Sequence, residues 1–204
     1  MDIAFKAVLM CILGASVVSF VVMGIIQHRR VASMGAAAHR MNLLFSTQDP
    51  FDLVFRYDKL VLFQAGHSPH VSNVAHGRID SLPVRAFDFR YEVGHGSSRT
   101  TRAYSVVMIE TARPAQEFLL WNRGDMEYAP LACSGCVKVD GWLMCGDMDS
   151  ARKSAGICGE LARDALSVQC LAGAVVVFAP MAKASLCGDM ISVARKMVDE
   201  LQLA

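Results

Sequence analysis

The sequence predicts an α+β protein in which an N-terminal transmembrane helix is followed by an antiparallel β-meander packed with C-terminal helices. Three observations predict this. Ala7 to Ile26 is an unbroken apolar run, Val84 to Val93 and Thr101 to Glu110 read as paired strands, and Ser185 to Leu203 is amphipathic at helical spacing. The chain has 204 residues, 53% of them hydrophobic, and a formal net charge of +1. Bulk charge therefore gives no argument for a nucleic-acid partner, and none is expected.

The run from Ala7 through Val17 and Phe20 to Ile26 contains no charge and no proline. Twenty residues at ~1.5 Å each cover ~30 Å, the thickness of a bilayer's hydrocarbon core, where only a helix satisfies its own backbone. A cleaved signal peptide would have a shorter apolar core, about 7–15 residues, after a basic start. Here only Lys6, beside Asp2, precedes the run. His28, Arg29, Arg30, His39 and Arg40 follow it, which places the C-terminal side in the cytoplasm by the positive-inside rule. The expected location is the inner (cytoplasmic) membrane, crossed once. Val31, Met34, Ala38, Met41 and Phe45 recur at three- and four-residue steps and predict a juxtamembrane helix. On it, Arg29, Arg30 and Arg40 are expected at lipid headgroups.

Four segments follow from this reading: an anchor over 1–28, the basic helix over 29–48, a β-rich part over 49–130 and a β/α part over 131–204. Asp49-Pro50 predicts a helix start, and Leu60 to Phe63 reads as a buried strand. In Val84–Val93, Phe87, Phe89, Tyr91 and Val93 alternate with Asp88, Arg90 and Glu92, so one face is aromatic and the other charged. Gly94 to Ser98 is a hairpin loop leading to the return strand, and Phe118 to Trp121 is a fourth strand. Val137 to Cys145 reads as a strand, Ser150 to Leu166 as a helix and Ala174 to Phe178 as a buried strand. In the last helix Leu186, Met190, Val193, Met197 and Leu201 form one stripe, a core pattern rather than a cofactor site. The C-terminal helices are expected to cover the aromatic face. Cys145-Gly-Asp-Met148 and Cys187-Gly-Asp-Met190 echo one another, as a duplicated strand-to-helix corner capped by Asp147 and Asp189 would.

Gly66-His67, Asn73-Val-Ala-His-Gly77, Phe87-Asp-Phe-Arg-Tyr91, the loop Gly94–Ser98 and the strand Tyr104–Ile109 occur in that order. In this the chain resembles a bacterial family of single-pass membrane-anchored proteins with an Asn-x-x-x-Gly step and a Phe-Asp-Tyr-x-Tyr strand. Phe89 stands where the family has Tyr. The family has no assigned activity, so the resemblance implies architecture and no chemistry.

Local motifs for catalysis are thin. Cys133-Ser-Gly-Cys136, with Cys145 nine residues on, is the candidate metal or redox set, but no second ligand pair at zinc spacing follows. The other cysteines fall at apolar positions, so reduced thiols are expected. His67, His70 and His76 would bind a metal only if their loop folded back. Asp88 is either a buried general base or the partner of an arginine such as Arg85 or Arg90. No phosphate loop, nucleophile elbow or dinucleotide fingerprint is present in the sequence. The expected function is a non-enzymatic interaction or scaffold domain without a cofactor, with the bilayer and a membrane or cytoplasmic protein as partners. The alternatives are a thiol or zinc module on Cys133, Cys136 and Cys145, and a hydrolase using Asp88. The anchor predicts that the full chain stays in the membrane pellet through an alkaline carbonate wash and enters solution only with detergent; release by the wash alone would contradict it.

Overall fold

The computed structural model of the chain describes residues 2–122, 135–161, 166–181 and 183–203. Helix α1 (Asp2–Arg40) runs 39 residues without interruption, about 58 Å at 1.5 Å per residue. Its N-terminal apolar stretch is fully exposed, and among the described residues it is the one helix long and apolar enough to cross a membrane. Phe20 and Ile26 are 75% and 62% exposed, an arrangement that suits lipid as the solvent and not water. The helix stops five residues short of the expected Phe45. Asn42 adopts a left-handed conformation (φ 55°) and the chain turns into strand β1 (Leu44–Gln48).

The remaining strands are β2 (His67–Ile79), β3 (Leu82–Val93), β4 (Thr100–Glu110), β5 (Phe118–Asn122), β6 (Val137–Val139), β7 (Trp142–Gly146), β8 (Ser167–Leu171) and β9 (Ala174–Pro180). They form one sheet of nine antiparallel strands in the order β1-β2-β3-β4-β9-β8-β5-β7-β6. The expected β2-β3-β4 meander is there, with Asp88 opposite Ser105 and Phe89 opposite Tyr104. The sheet runs on across residue 130, because β4 pairs with β9 and β5 lies between β8 and β7. The 49–130 and 131–204 segments thus share one sheet. Phe118–Trp121 is a strand, but it is four positions along the sheet from β3, not beside the meander.

Two expected elements take other forms. Leu60–Phe63 is not a strand: Val61–Gln64 is a 3-10 turn that buries Leu62 and Phe63. A short apolar run cannot distinguish these by periodicity, and here the Val61 amide donates to the Gln169 side chain (2.8 Å) rather than to a ladder. Val137–Cys145 is not one strand but a hairpin, turning at Asp140-Gly141 with both residues at positive φ. The helix from Asp49-Pro50 is one turn only, α2 (Leu53–Arg56), with Asp49 accepting from the amides of Phe51 (2.9 Å) and Leu53 (2.7 Å).

Helices α1, α3 (Met148–Leu161) and α4 (Cys187–Glu200) lie on one face of the sheet. Ala38, Met190, Val193 and Met197 pack there against Val84, Ala86, Val107, Ile109 and Val177. The aromatic face is not covered by these helices, as expected from sequence, but by the 51–65 segment. Leu53, Leu60, Leu62 and Phe63 pack on Phe87, Phe89, Tyr91 and Phe178, with the Phe63 and Phe89 rings 4.8 Å apart. The covering segment was legible as apolar, but its side of the sheet is set by tertiary packing. The echoed corners differ too. Asp147 caps α3 by accepting from the Ser150 amide (3.0 Å), whereas Asp189 lies inside the first turn of α4.

Two glycines carry opposite packing consequences. A Cβ on Gly66 would lie 2.3 Å from the Glu92 carbonyl oxygen and 2.7 Å from the Tyr91 ring, whereas one on Gly156, inside α3, would meet nothing within 4 Å. Gly66→Ala is therefore expected to lower unfolding free energy by about 1–3 kcal/mol through overpacking. Gly156→Ala is expected to raise it by about 0.5–1 kcal/mol through helix propensity. Chemical denaturation of the detergent-solubilised chain reads both.

Candidate functional site

The most organised polar cluster joins α1 to the sheet. Asp88, on the charged face of β3, is fully buried. Its carboxylate accepts from Arg30 Nε (2.9 Å), Arg30 Nη2 (2.5 Å) and Asn73 Nδ2 (2.9 Å). Arg30 Nη2 also donates to Ser105 Oγ (3.0 Å), on the strand facing Asp88. The fork geometry of a guanidinium suits this two-point grip, which an ammonium could not reproduce.

Asn73 reaches Asp88 because β2 bulges. Between Ser72, opposite Asp88, and Ala75, opposite Ala86, two residues of β2 stand against Phe87 alone. Asn73 takes the left-handed conformation there (φ 53°), which Asn tolerates better than most residues. Gly77, four residues on, lets the α1–β1 connection come close: a Cβ there would lie 2.8 Å from Leu43 Cδ2. The Asn-x-x-x-Gly step thus has a structural reason at each end, as does Asp88 between its aromatic neighbours.

Asp88 therefore pairs with Arg30, not with Arg85 or Arg90. The expected headgroup role of Arg30 meets a direct correction, since its guanidinium turns into the domain with 13% of the side chain exposed. Arg40 is exposed at the end of α1, fourteen residues beyond Ile26. Arg29 is exposed one turn beyond the span. The cavity beside the pair, lined by Arg30, Met34, Ser105 and Cys187, measures about 10 Å³, room for no more than one water. Asp88 has no surface on which a substrate could lie, and the general-base alternative finds no support.

A second polar cluster pins the 51–65 segment to the other face. Glu110 accepts from Tyr57 Oη and from Arg85 Nη1 (2.6 Å), with Arg56 at 3.5 Å. Arg85 in turn lies over the Phe51 ring, 4.6 Å from its centroid. Burial would raise the Glu110 carboxyl, but the Tyr57 and Arg85 hydrogen bonds and the nearby guanidinium charges outweigh it and hold it below the usual range. Burial and the Glu110 contact push the Tyr57 phenol up to about 12. An open groove of about 490 Å³ borders this cluster, and Tyr57 and Glu110 on its wall are paired with each other.

The cysteine set is corrected as well. Cys136 bonds to Cys145 in a disulfide across the β6–β7 hairpin, and Cys133 lies outside the described residues. Two of the three candidate ligands are thus joined to each other. The expectation of reduced thiols fits Cys158, Cys170 and Cys187, which are free and buried. Desolvation pushes these three up to about 12, 12 and 11, which makes them poor nucleophiles. The histidines do not converge. His67 stacks on His95 and His76 packs edge-on against Phe51, nine residues apart on one strand. Among the described residues no group of three or more His, Cys, Asp or Glu side chains could hold a metal ion.

No protein-family model matches the chain, and no curated protein matches it. Among solved structures, the crystal structure of the mycobacterial trehalose monomycolate transport factor A, TtfA, is similar with a TM-score of 0.65. Sequence identity is 13%, over 85% of this chain and 94% of that one. At that identity the likeness shows a common fold.

The clamp makes two energetic predictions. Asp88→Leu strands a largely buried guanidinium and is expected to destabilise the domain by about 3–5 kcal/mol, while adding Arg30→Met to Asp88→Leu recovers most of the loss. Additive losses in that cycle would show that the two groups are not coupled. On the other face, a carboxyl held low in the folded state contributes stability that is present above its unfolded pKa and lost as pH falls through the folded one. Glu110→Gln should therefore flatten the acid-side fall in melting temperature below about pH 4.5, the ordinary Glu value; an unchanged pH profile would refute this.

Proposed function

We propose that the chain is a non-enzymatic, membrane-tethered accessory factor of a membrane transport assembly, with its domain on the cytoplasmic face. One observation carries this reading: a single helix runs from the exposed apolar span into the domain, where Arg30 is gripped by Asp88. A tether that ends in a flexible linker lets its domain roam. A continuous helix clamped to a nine-stranded sheet holds it at one height and orientation, as a scaffold beside another membrane protein requires. The fold shared with a transport factor supports the same reading.

The basic residues after the span support the cytoplasmic side. The Cys136–Cys145 disulfide joins the residue before β6 to β7, two strands that backbone hydrogen bonds also pair. In the cytoplasm it would be mostly reduced.

Site-specific photocrosslinking in native membranes tests the reading, with the reactive group at exposed sites such as Phe55 or Leu44. The expected adducts are with an integral membrane protein, and Asp88→Ala at constant expression should scatter or abolish them. Adducts with soluble proteins only, or a pattern indifferent to the clamp, would contradict it.

A further inference from the structure

Beside the clamp, α1 and the turn before α4 enclose an open groove of about 580 Å³. Its walls include Ile26, Arg29, Ser33 and Arg40 of α1, with Lys183 and Ser185 across from them. No carboxylate lines it. Arg29 and Lys183 are exposed, and neither makes an ion pair among the described residues.

The groove's position says what it faces. Strand β3 passes from Asp88, beside Arg30, to Arg90, which donates to Gln27 Oε1 (3.0 Å) one residue past the apolar run. The far end of β3 therefore points back toward the span. Strand β9 ends at the same side, since Pro180 stands opposite Tyr104 and the Met181 amide donates to the Ala103 carbonyl (2.9 Å). Lys183 follows directly. Two unpaired cations thus flank the mouth of a groove whose lowest wall, Ile26, is the last residue of the span. Arg29 lies ~4.5 Å above Ile26 along the helix, the depth at which lipid phosphates sit.

We propose that this groove binds the phosphate of an anionic phospholipid, held between Arg29 and Lys183 with the hydroxyl of Ser185 as a further donor; the Ser33 hydroxyl already donates to the Arg30 carbonyl (3.0 Å). The apolar wall at Ile26 favours a lipid over an acidic protein segment, because the groove continues the lipid-facing surface of the span. The proposal deepens the tether reading and rests on it. A bound headgroup would fix rotation about the α1 axis, which the span alone leaves free.

The test uses the full-length chain in nanodiscs of equal phosphatidylglycerol and phosphatidylcholine, with retained lipid counted by native mass spectrometry. The wild type should retain phosphatidylglycerol preferentially. Arg29→Gln with Lys183→Gln should reduce that preference roughly twenty-five-fold, at about five-fold per cation near the surface. Ser185→Asp, which adds a carboxylate and removes no cation, should also reduce it. Arg152→Gln, an exposed cation on α3 outside the groove, should leave it unchanged. Equal retention of both lipids by the wild type overturns the proposal, as does an unaffected double variant. A loss in Arg152→Gln as large as in the double variant overturns it in favour of general surface charge, and displacement of the lipid by millimolar inorganic phosphate overturns it in favour of a soluble anion. If the chain fails to insert into nanodiscs at all, the tether reading itself fails; insertion without lipid preference fails only this inference.

Discussion

A guanidinium and a carboxylate meet where the long apolar helix enters the domain, and the rest of the architecture is arranged about that contact. Arg30 sits on α1 four residues before Met34, so the charged end of the stripe and its apolar continuation face the same sheet. Asp88 is its counterpart on β3, the one fully buried carboxylate in a run whose other face is aromatic. Removing two such groups from water is unfavourable by itself, and a buried ion pair is weak evidence for net stability. What it supplies is register. A helix held by apolar contacts alone can rotate or slide with little penalty, whereas a two-point grip with Asn73 and Ser105 behind it admits one position.

The sheet is built so that this position persists. The bulge in β2 aims Asn73 at Asp88, the buried helical-side core locks α1 against β1 and β2 and α4 against β4 and β9, and the Tyr57–Glu110–Arg85 cluster closes the opposite face. Two polar anchors on two faces thus seat the two segments, α1 and 51–65, that the strand ladder does not itself hold. The consequence for function is geometric. A domain whose orientation to the bilayer is fixed can present one surface to a neighbour in the same membrane.

Much of this was legible from the sequence. The apolar run, the alternation in β3 and β4 and the helical stripe of α4 each rest on many residues, and each is an element of the structure. The losses have physical causes. Periodicity cannot tell the 3-10 turn at Val61–Gln64 from a short buried strand. The Asp140-Gly141 turn signal inside Val137–Cys145 was readable and outweighed by the apolar residues on either side. The partner of Asp88 could not be found locally, because it lies fifty-eight residues away on another element; the available signal was an arginine on the domain-facing stripe of a juxtamembrane helix. Topology determinants and structural ion-pair partners are the same residue type, so composition after the span could not separate Arg30 from Arg29.

The central claim is that α1 and the sheet move as one body. Pulsed electron paramagnetic resonance on the chain in nanodiscs measures it directly, with spin labels at Phe20→Cys in the span and Thr100→Cys at the start of β4, and Cys11 replaced by Ser. The account predicts a single narrow distance distribution that broadens in Asp88→Ala. A broad distribution in the otherwise native chain, or one unchanged by loss of Asp88, would contradict it.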